Sequence, residues 1–165
     1  MAAFFYETND IKVTPAPGAV HIEKCPVCLD STATMFRYTG AVGILMASGT
    51  KEVTLVNNEV EETAGNGIEI GKFVVDDKTD YHTAYNPDDI REVCTNDRIL
   101  NNKIHDIGTQ YEGAVGIGAG YVQGIMIANN TVYNCPYTGI SMGYGWTSDA
   151  NPMKYNSIIR NEVTM

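Results

Sequence analysis

The chain has 165 residues, 44% of them hydrophobic and 19% charged, with a formal net charge of −9 and a pI near 4.6. That is enough apolar chain for one folded domain. It is too acidic for a nucleic-acid partner, which needs clustered Lys and Arg against phosphate, its 11 basic residues form no run that would hold an anionic membrane, and no apolar stretch reaches the length of a membrane span.

In chain order, the N-terminal "MAAFFYETND" lacks the basic start and apolar centre of a signal peptide. The expectation is a chain that stays inside the cell or is an internal piece of something longer. "FFYETNDIKV" reads like the tail of a preceding repeat. Next comes "CPVC", with Cys25 and Cys28 at the spacing of a redox or zinc half-site. A structural zinc site usually needs a second such pair. Cys94 and Cys135 are too far apart in sequence to supply it, so two ordinary thiols or a local disulfide are expected.

From residue 42 onward two motifs alternate strictly. One is "VGIL", "NGIEI", "VGIGA" and "TGISM", with Gly43, Gly67, Gly116 and Gly139. The other is "VTLVNNEVEE", "RILNNKIHD", "IMIANNTVYN" and "SIIRNEVT", with Asn58, Asn102, Asn130 and Asn161. The uninterrupted period is about two dozen residues, which marks a repeat architecture. The segments are short, alternating and rich in Val, Ile and Thr, as strands are. No segment is long enough for a crossover helix, and a β-sandwich would not repeat the same two motifs in alternation. The pattern predicts an all-β, right-handed parallel β-helix: one domain over residues 1–165, of four to five coils. Each coil would hold a "GIxI" strand, a turn, an "xxIxNN" strand, a bend at Asn, and a short third strand such as "KIHD". Asn suits the bend because it tolerates left-handed backbone, and its amides can stack from coil to coil. Gly before Ile permits a tight corner. "IIRNEVTM" closes in mid-pattern, which predicts a section of a longer solenoid, or ends covered by flanking coils or by an oligomeric partner.

Three insertions break the repeat, and in a solenoid insertions make the site. They are residues 72–97, 107–113 and 143–154. The first and third follow the "GI" strand, whereas the second precedes it, so together they would wall a groove across those strands. Trp146 and Tyr144, in "GYGW", would stand at its rim as flat platforms for sugar rings, with Tyr111, Tyr121 and His82 as further contacts. Glycoside hydrolysis needs two carboxyl groups across a gap. Asp76, Asp77, Asp80, Asp106, Glu112 and Asp149 are the candidates, and Asp106, Glu112 and Asp149 are the expected catalytic set. Asp106 aligns with Glu62 and Asn134 of other coils, so a plain turn residue is an equal reading for it. Asp88 and Asp89 follow Pro87 and suit a helix or turn start capped by Asn86 or Asp88. His82 and His105 lack metal-ligand spacing and read as solvated. No cofactor or metal is expected; Ca²⁺ is the one ion the Asp-rich first insertion suggests, although it lacks the spaced EF-hand pattern.

The run "ILNNKIHDIGTQYEGAVGIGAGYVQGIMIANNTVYNCPYTGISMGYGW", residues 99–146, resembles right-handed β-helix proteins of polysaccharide-degrading bacteria. In particular it is similar to the β-helix glycoside hydrolase family that includes α-L-fucosidases and xylanases, as is "YNPDDIREV" in the first insertion. The resemblance covers about residues 40–165. It implies a polysaccharide or oligosaccharide substrate and carboxylate acid/base chemistry. It also implies relatives that are far longer and secreted or periplasmic. The function expected is therefore that of a glycoside hydrolase or part of one. A non-catalytic glycan-binding or structural module of the tail-fibre kind is the alternative. A polysaccharide lyase is a third reading, disfavoured because Lys and Arg are scarce around the insertions.

Overall fold

A computed structural model describes residues 20–22, 30–47, 49–73, 85–144 and 148–164. Trp146, His82, Tyr81, Asp76, Asp77, Asp80, Cys25, Cys28 and the N-terminal stretch lie outside the described residues. The described chain winds through five coils of three short strands each. Coil 1 holds β1 (Val20–Ile22), β2 (Asp30–Thr32) and β3 (Met35–Arg37). Coil 2 holds β4 (Ile44–Met46), β5 (Thr54–Val56) and β6 (Glu59–Glu61). Coil 3 holds β7 (Ile68–Gly71), β8 (Arg98–Leu100) and β9 (Lys103–His105). Coil 4 holds β10 (Val115–Gly120), β11 (Met126–Ala128) and β12 (Thr131–Tyr133). Coil 5 holds β13 (Thr138–Gly143), β14 (Ser157–Ile159) and β15 (Glu162–Thr164).

Every strand pairs in parallel with its counterparts in the next coils, giving three five-stranded sheets. Sheet A is β1-β4-β7-β10-β13, sheet B is β2-β5-β8-β11-β14 and sheet C is β3-β6-β9-β12-β15. This is the predicted parallel β-helix. Register puts like residue over like residue. Ile44, Ile68, Ile117 and Ile140 form one inward column; Leu55, Ile99, Ile127 and Ile158 form a second; Val60, Ile104, Val132 and Val163 form a third. In coils 2 to 4 these columns are fully buried in one hydrophobic cluster. Such burial gives roughly 1.5–3 kcal/mol per large aliphatic side chain, and no coil achieves it without its neighbours.

The Asn ladder is present, but two residues share the work that the sequence assigns to one. The left-handed backbone falls on the residue before the ladder: Asn57, Asn101, Asn129 and Arg160, with φ of 58°, 55°, 57° and 54°. The ladder residue itself turns inward. Asn58 Nδ2 donates to Asn102 Oδ1 (3.0 Å), Asn102 Nδ2 to Asn130 Oδ1 (3.0 Å), and Asn130 Nδ2 to Asn161 Oδ1 (2.9 Å). Each acceptor oxygen also takes the backbone N–H of the ladder residue one coil back. Buried amides are thereby satisfied along the stack, as buried polar groups must be.

The longest connection joins β7 to β8 and contains the first insertion, with a short 3-10 helix at Ile90–Glu92. Its cap is Asp89, and not Asn86 or Asp88 as expected: Asp89 accepts from the Arg91 backbone N–H at 2.9 Å. The Arg91 guanidinium beside it holds the Asp89 carboxyl down to about 2.

Candidate functional site

Sheet A separates the insertions. The connection that holds residues 107–113 enters the sheet; those that hold residues 72–97 and 143–154 leave it. The groove expected from sequence therefore lies along the outer face of sheet A.

Alternate residues of a strand share a face. With the isoleucine column inward, the outward row of sheet A reads Leu45, Glu69, Gly118 and Ser141 across coils 2 to 5. One carboxyl thus sits in a row of apolar and small residues. Glu69 is 0% exposed. Its Oε2 accepts from Asn66 Nδ2 at 3.2 Å, and its Oε1 has no hydrogen-bond partner among the described residues. The Asn66 amide cannot flip, because its Oδ1 takes the Val115 backbone N–H at 2.8 Å. Burial raises the Glu69 pKa above the ordinary carboxyl value. One carboxyl oxygen is bound by Asn66, and the other has no hydrogen-bond partner among the described residues. Sequence reasoning missed Glu69 because it sits inside the repeat motif "NGIEI" and not in an insertion. The available signal was its alternation: in "GIEI" the Glu falls between two core isoleucines.

Aromatic rings gather at the end where β7, β10 and β13 leave the sheet. Phe73 lies over the glycines of β10: a Cβ on Gly118 or Gly120 would stand 3.5 or 3.1 Å from its ring. Tyr144 meets Phe73 edge-on, centroids 4.8 Å apart and planes at 87°. Tyr121 lies 6.2 Å from Tyr144 and 5.6 Å from Tyr85. Phe73, Tyr137, Tyr144, Gly118 and Ser141 line a shallow recess on this face. Tyr144 has φ of 129°, a region that bulky residues rarely adopt. Backbone strain of this kind concentrates at functional positions.

The other residues expected from sequence divide. Tyr144 is half-buried at this rim. Tyr121 is 2% exposed and packs with Tyr85 and Val93, so its ring supports the rim and does not face a ligand. Tyr111 packs partly buried against the main core, in the loop at the opposite end of the sheet. Glu112 is exposed in that same loop, and Asp149 is exposed in the connection after β13. Asp106 is a bend residue with φ of 50°, matching Glu62 (48°) and Asn134 (49°). It belongs to the corner beside sheet C, where His105 Nδ1 (2.6 Å) and Asn134 Nδ2 (2.9 Å) bind its carboxyl. These bonds, His105 first, hold Asp106 below the ordinary carboxylate range, the reverse of what a proton donor needs. His105 is buried and not solvated, at 5% exposure. Cys94 and Cys135 are buried free thiols whose pKa burial raises to about 11, so neither is a nucleophile.

Three comparisons bear on this architecture. The family model described as "Right handed beta helix region" matches residues 42–164. A solved structure titled "Glycoside hydrolase" is similar to the chain at 29% sequence identity and a TM-score of 0.69. The match covers 82% of this chain and 24% of that one, so the chain corresponds to about a quarter of the solved protein. A comparison with curated proteins returns no match. With three-quarters of its length matched and five parallel coils in register, the chain belongs to the right-handed β-helix family.

Proposed function

We propose that the outer face of sheet A processes carbohydrate, as the coil section of a glycoside hydrolase, with Glu69 as the proton donor. The observation that carries this reading is the Glu69 carboxyl: buried, raised in pKa, tied through one oxygen and, among the described residues, without a hydrogen-bond partner at the other. Hydrolysis of a glycosidic bond needs an acid that is still protonated near neutral pH, and burial is how a glutamate becomes one. The donated proton goes to the glycosidic oxygen, and the sugar leaves as its bond to the anomeric carbon breaks. As that bond breaks, a second carboxylate either activates the water that takes its place or bonds to the anomeric carbon itself, in which case water, deprotonated by the now ionised Glu69, releases the sugar from that ester. Asp149, beyond β13 on the side where Tyr144 and Phe73 stand, is the assigned partner, with Glu112 at the opposite end of the sheet as the other choice. Tyr144 and Trp146 supply the apolar surface on which sugar rings stack. Glu69 is shut from water, so substrate reaches it by local opening of this face. The likeness to a solved glycoside hydrolase supports the substrate class.

The test is a comparison of leaving groups. Xylo-oligosaccharides and fucosylated oligosaccharides depart only when protonated, whereas a 2,4-dinitrophenyl glycoside needs no proton. Glu69→Gln should slow oligosaccharide hydrolysis by about 10²–10⁴-fold while sparing bond cleavage in the dinitrophenyl substrate. Equal losses on both, or none on either, would remove Glu69 from the acid role. Glycan binding without any hydrolysis would return the chain to the non-catalytic reading.

A further inference from the structure

The outer face of sheet C carries a separate cluster. Parallel register sets Glu59 beside Lys103 and Glu61 beside His105. On either side stand Arg37, paired with Glu61, and Tyr133, paired with His105. Two glutamates of β6 thus look outward from coil 2, with a histidine of coil 3 next to them. His105 Nε2 lies 3.0 Å from Glu59 Oε1 and 3.7 Å from Glu61 Oε2. Its Nδ1 lies 2.6 Å from Asp106 Oδ2. The ring is stacked flat on Tyr133, with centroids 4.6 Å apart and planes at 3°. Asp106 is in turn held by Asn134 Nδ2 at 2.9 Å. The His105, Glu59 and Glu61 donor atoms all lie within 4.8 Å of one another.

We propose that His105 Nε2, Glu59 and Glu61 form a divalent transition-metal site, suited to Zn²⁺, that clamps coil 2 to coil 3. Ligand atoms around a tetrahedral zinc stand about 3.3 Å apart, given bonds near 2.0 Å, and the observed 3.0 and 3.7 Å fall on either side of that spacing. An imidazole and two carboxylates are ligands zinc accepts, with water filling the remaining position. The support around the histidine is what metal-bound imidazoles have: a carboxylate on the far nitrogen fixes tautomer and ring orientation. Asp106 does this here, and the Tyr133 stack prevents rotation.

Two cations compete, and they are not equivalent. Arg37 Nε binds Glu61 Oε1 at 3.0 Å and leaves Oε2 facing His105, so it can stay. Lys103 Nζ binds Glu59 Oε1 at 2.7 Å, the same oxygen that faces His105. Lys103 must swing away, and its side chain is 48% exposed. Exposed ion pairs add little stability, so the displacement is easy. The spacing of 44 to 46 residues between the ligands is the length of an enlarged coil, which no short-range metal motif would reveal.

Zinc titration by calorimetry on the full chain tests the proposal, with Cys25→Ser and Cys28→Ser introduced so that thiol binding does not contribute. One equivalent of Zn²⁺ should bind and raise the melting temperature. His105→Ala and Glu61→Gln should each weaken binding at least tenfold, and Lys103→Ala should tighten it severalfold. Circular dichroism checks that each variant is folded; if His105→Ala is not, Glu61→Gln decides. No heat and no melting shift with excess Zn²⁺ would overturn the site, as would binding that the His105, Glu61 and Lys103 variants leave unchanged.

Discussion

Asp97 shows how one residue can hold a corner and yet cost stability. It is fully buried ahead of β8, where its Oδ1 takes the Val53 backbone N–H at 2.9 Å and its Oδ2 takes the Thr50 hydroxyl at 2.7 Å. Two coils on, Asn156 does the same for the Ile125 N–H without a charge. Burial raises the Asp97 pKa from 3.8 to about 6, and the two hydrogen bonds offset it only in part. A carboxyl whose folded pKa is raised binds its proton more tightly when folded. Its contribution to stability is therefore greatest below pH 4 and is lost as pH rises through 6. At neutral pH the buried charge costs on the order of 3 kcal/mol. Asp97→Asn should thus melt higher than the parent at pH 7.5, with the advantage gone by pH 4. The same advantage at both pH values in thermal melts would refute this. The sequence could not disclose the effect: "TNDR" reads as a polar turn, and only the coil below makes its aspartate buried. His105 is the same kind of case. Glu59 and Glu61 lie on the adjacent strand, 3.0 and 3.7 Å from its ring, but 46 and 44 residues away in sequence.

At the scale of the element, the glycine of each "GI" strand is required by closeness and not by dihedral angle. None of Gly43, Gly67, Gly116 or Gly139 has positive φ. A Cβ on Gly116 would instead stand 2.5 Å from the Gly139 carbonyl oxygen and 2.5 Å from Val132 Cγ1. Gly43 and Gly67 meet the next coil in the same way, at 2.6 Å. The column lets sheets A and C close on each other at the corner. Gly116→Ala should destabilise by about 1–3 kcal/mol through overpacking, whereas Gly40→Ala, with nothing within 4 Å, should leave the melting temperature unchanged. Denaturant melts showing equal effects at the two positions would contradict the close-approach account. The elements were largely legible in advance, because a two-motif repeat with β-branched alternation leaves little else to fold into. The division of the bend between Asn57 and Asn58 was not, since "NN" presents two residues with the same propensity and only pairing with the next coil tells them apart.

For the whole molecule, the three faces of the solenoid do different things. Sheet A carries a buried acid in a small-residue row with aromatic rings at one end. Sheet C carries the histidine–carboxylate cluster, and sheet B runs into the bends that the asparagine ladder holds. Where the insertions interrupt the repeat, at the two ends of sheet A, was readable in the sequence. Glu69 was not, because it belongs to the repeat itself and not to an insertion. The most direct check of the central claim is amide hydrogen exchange of the full chain, with and without a saturating xylo- or fucosylated oligosaccharide. Strand amides are already protected, so changes should appear at strand ends and connections. New protection is expected at residues 113–121 and 137–144, along sheet A and its exits, with peptides of sheets B and C unchanged. Protection confined to sheet B or sheet C, with sheet A unaltered while the glycan is bound, would contradict the account.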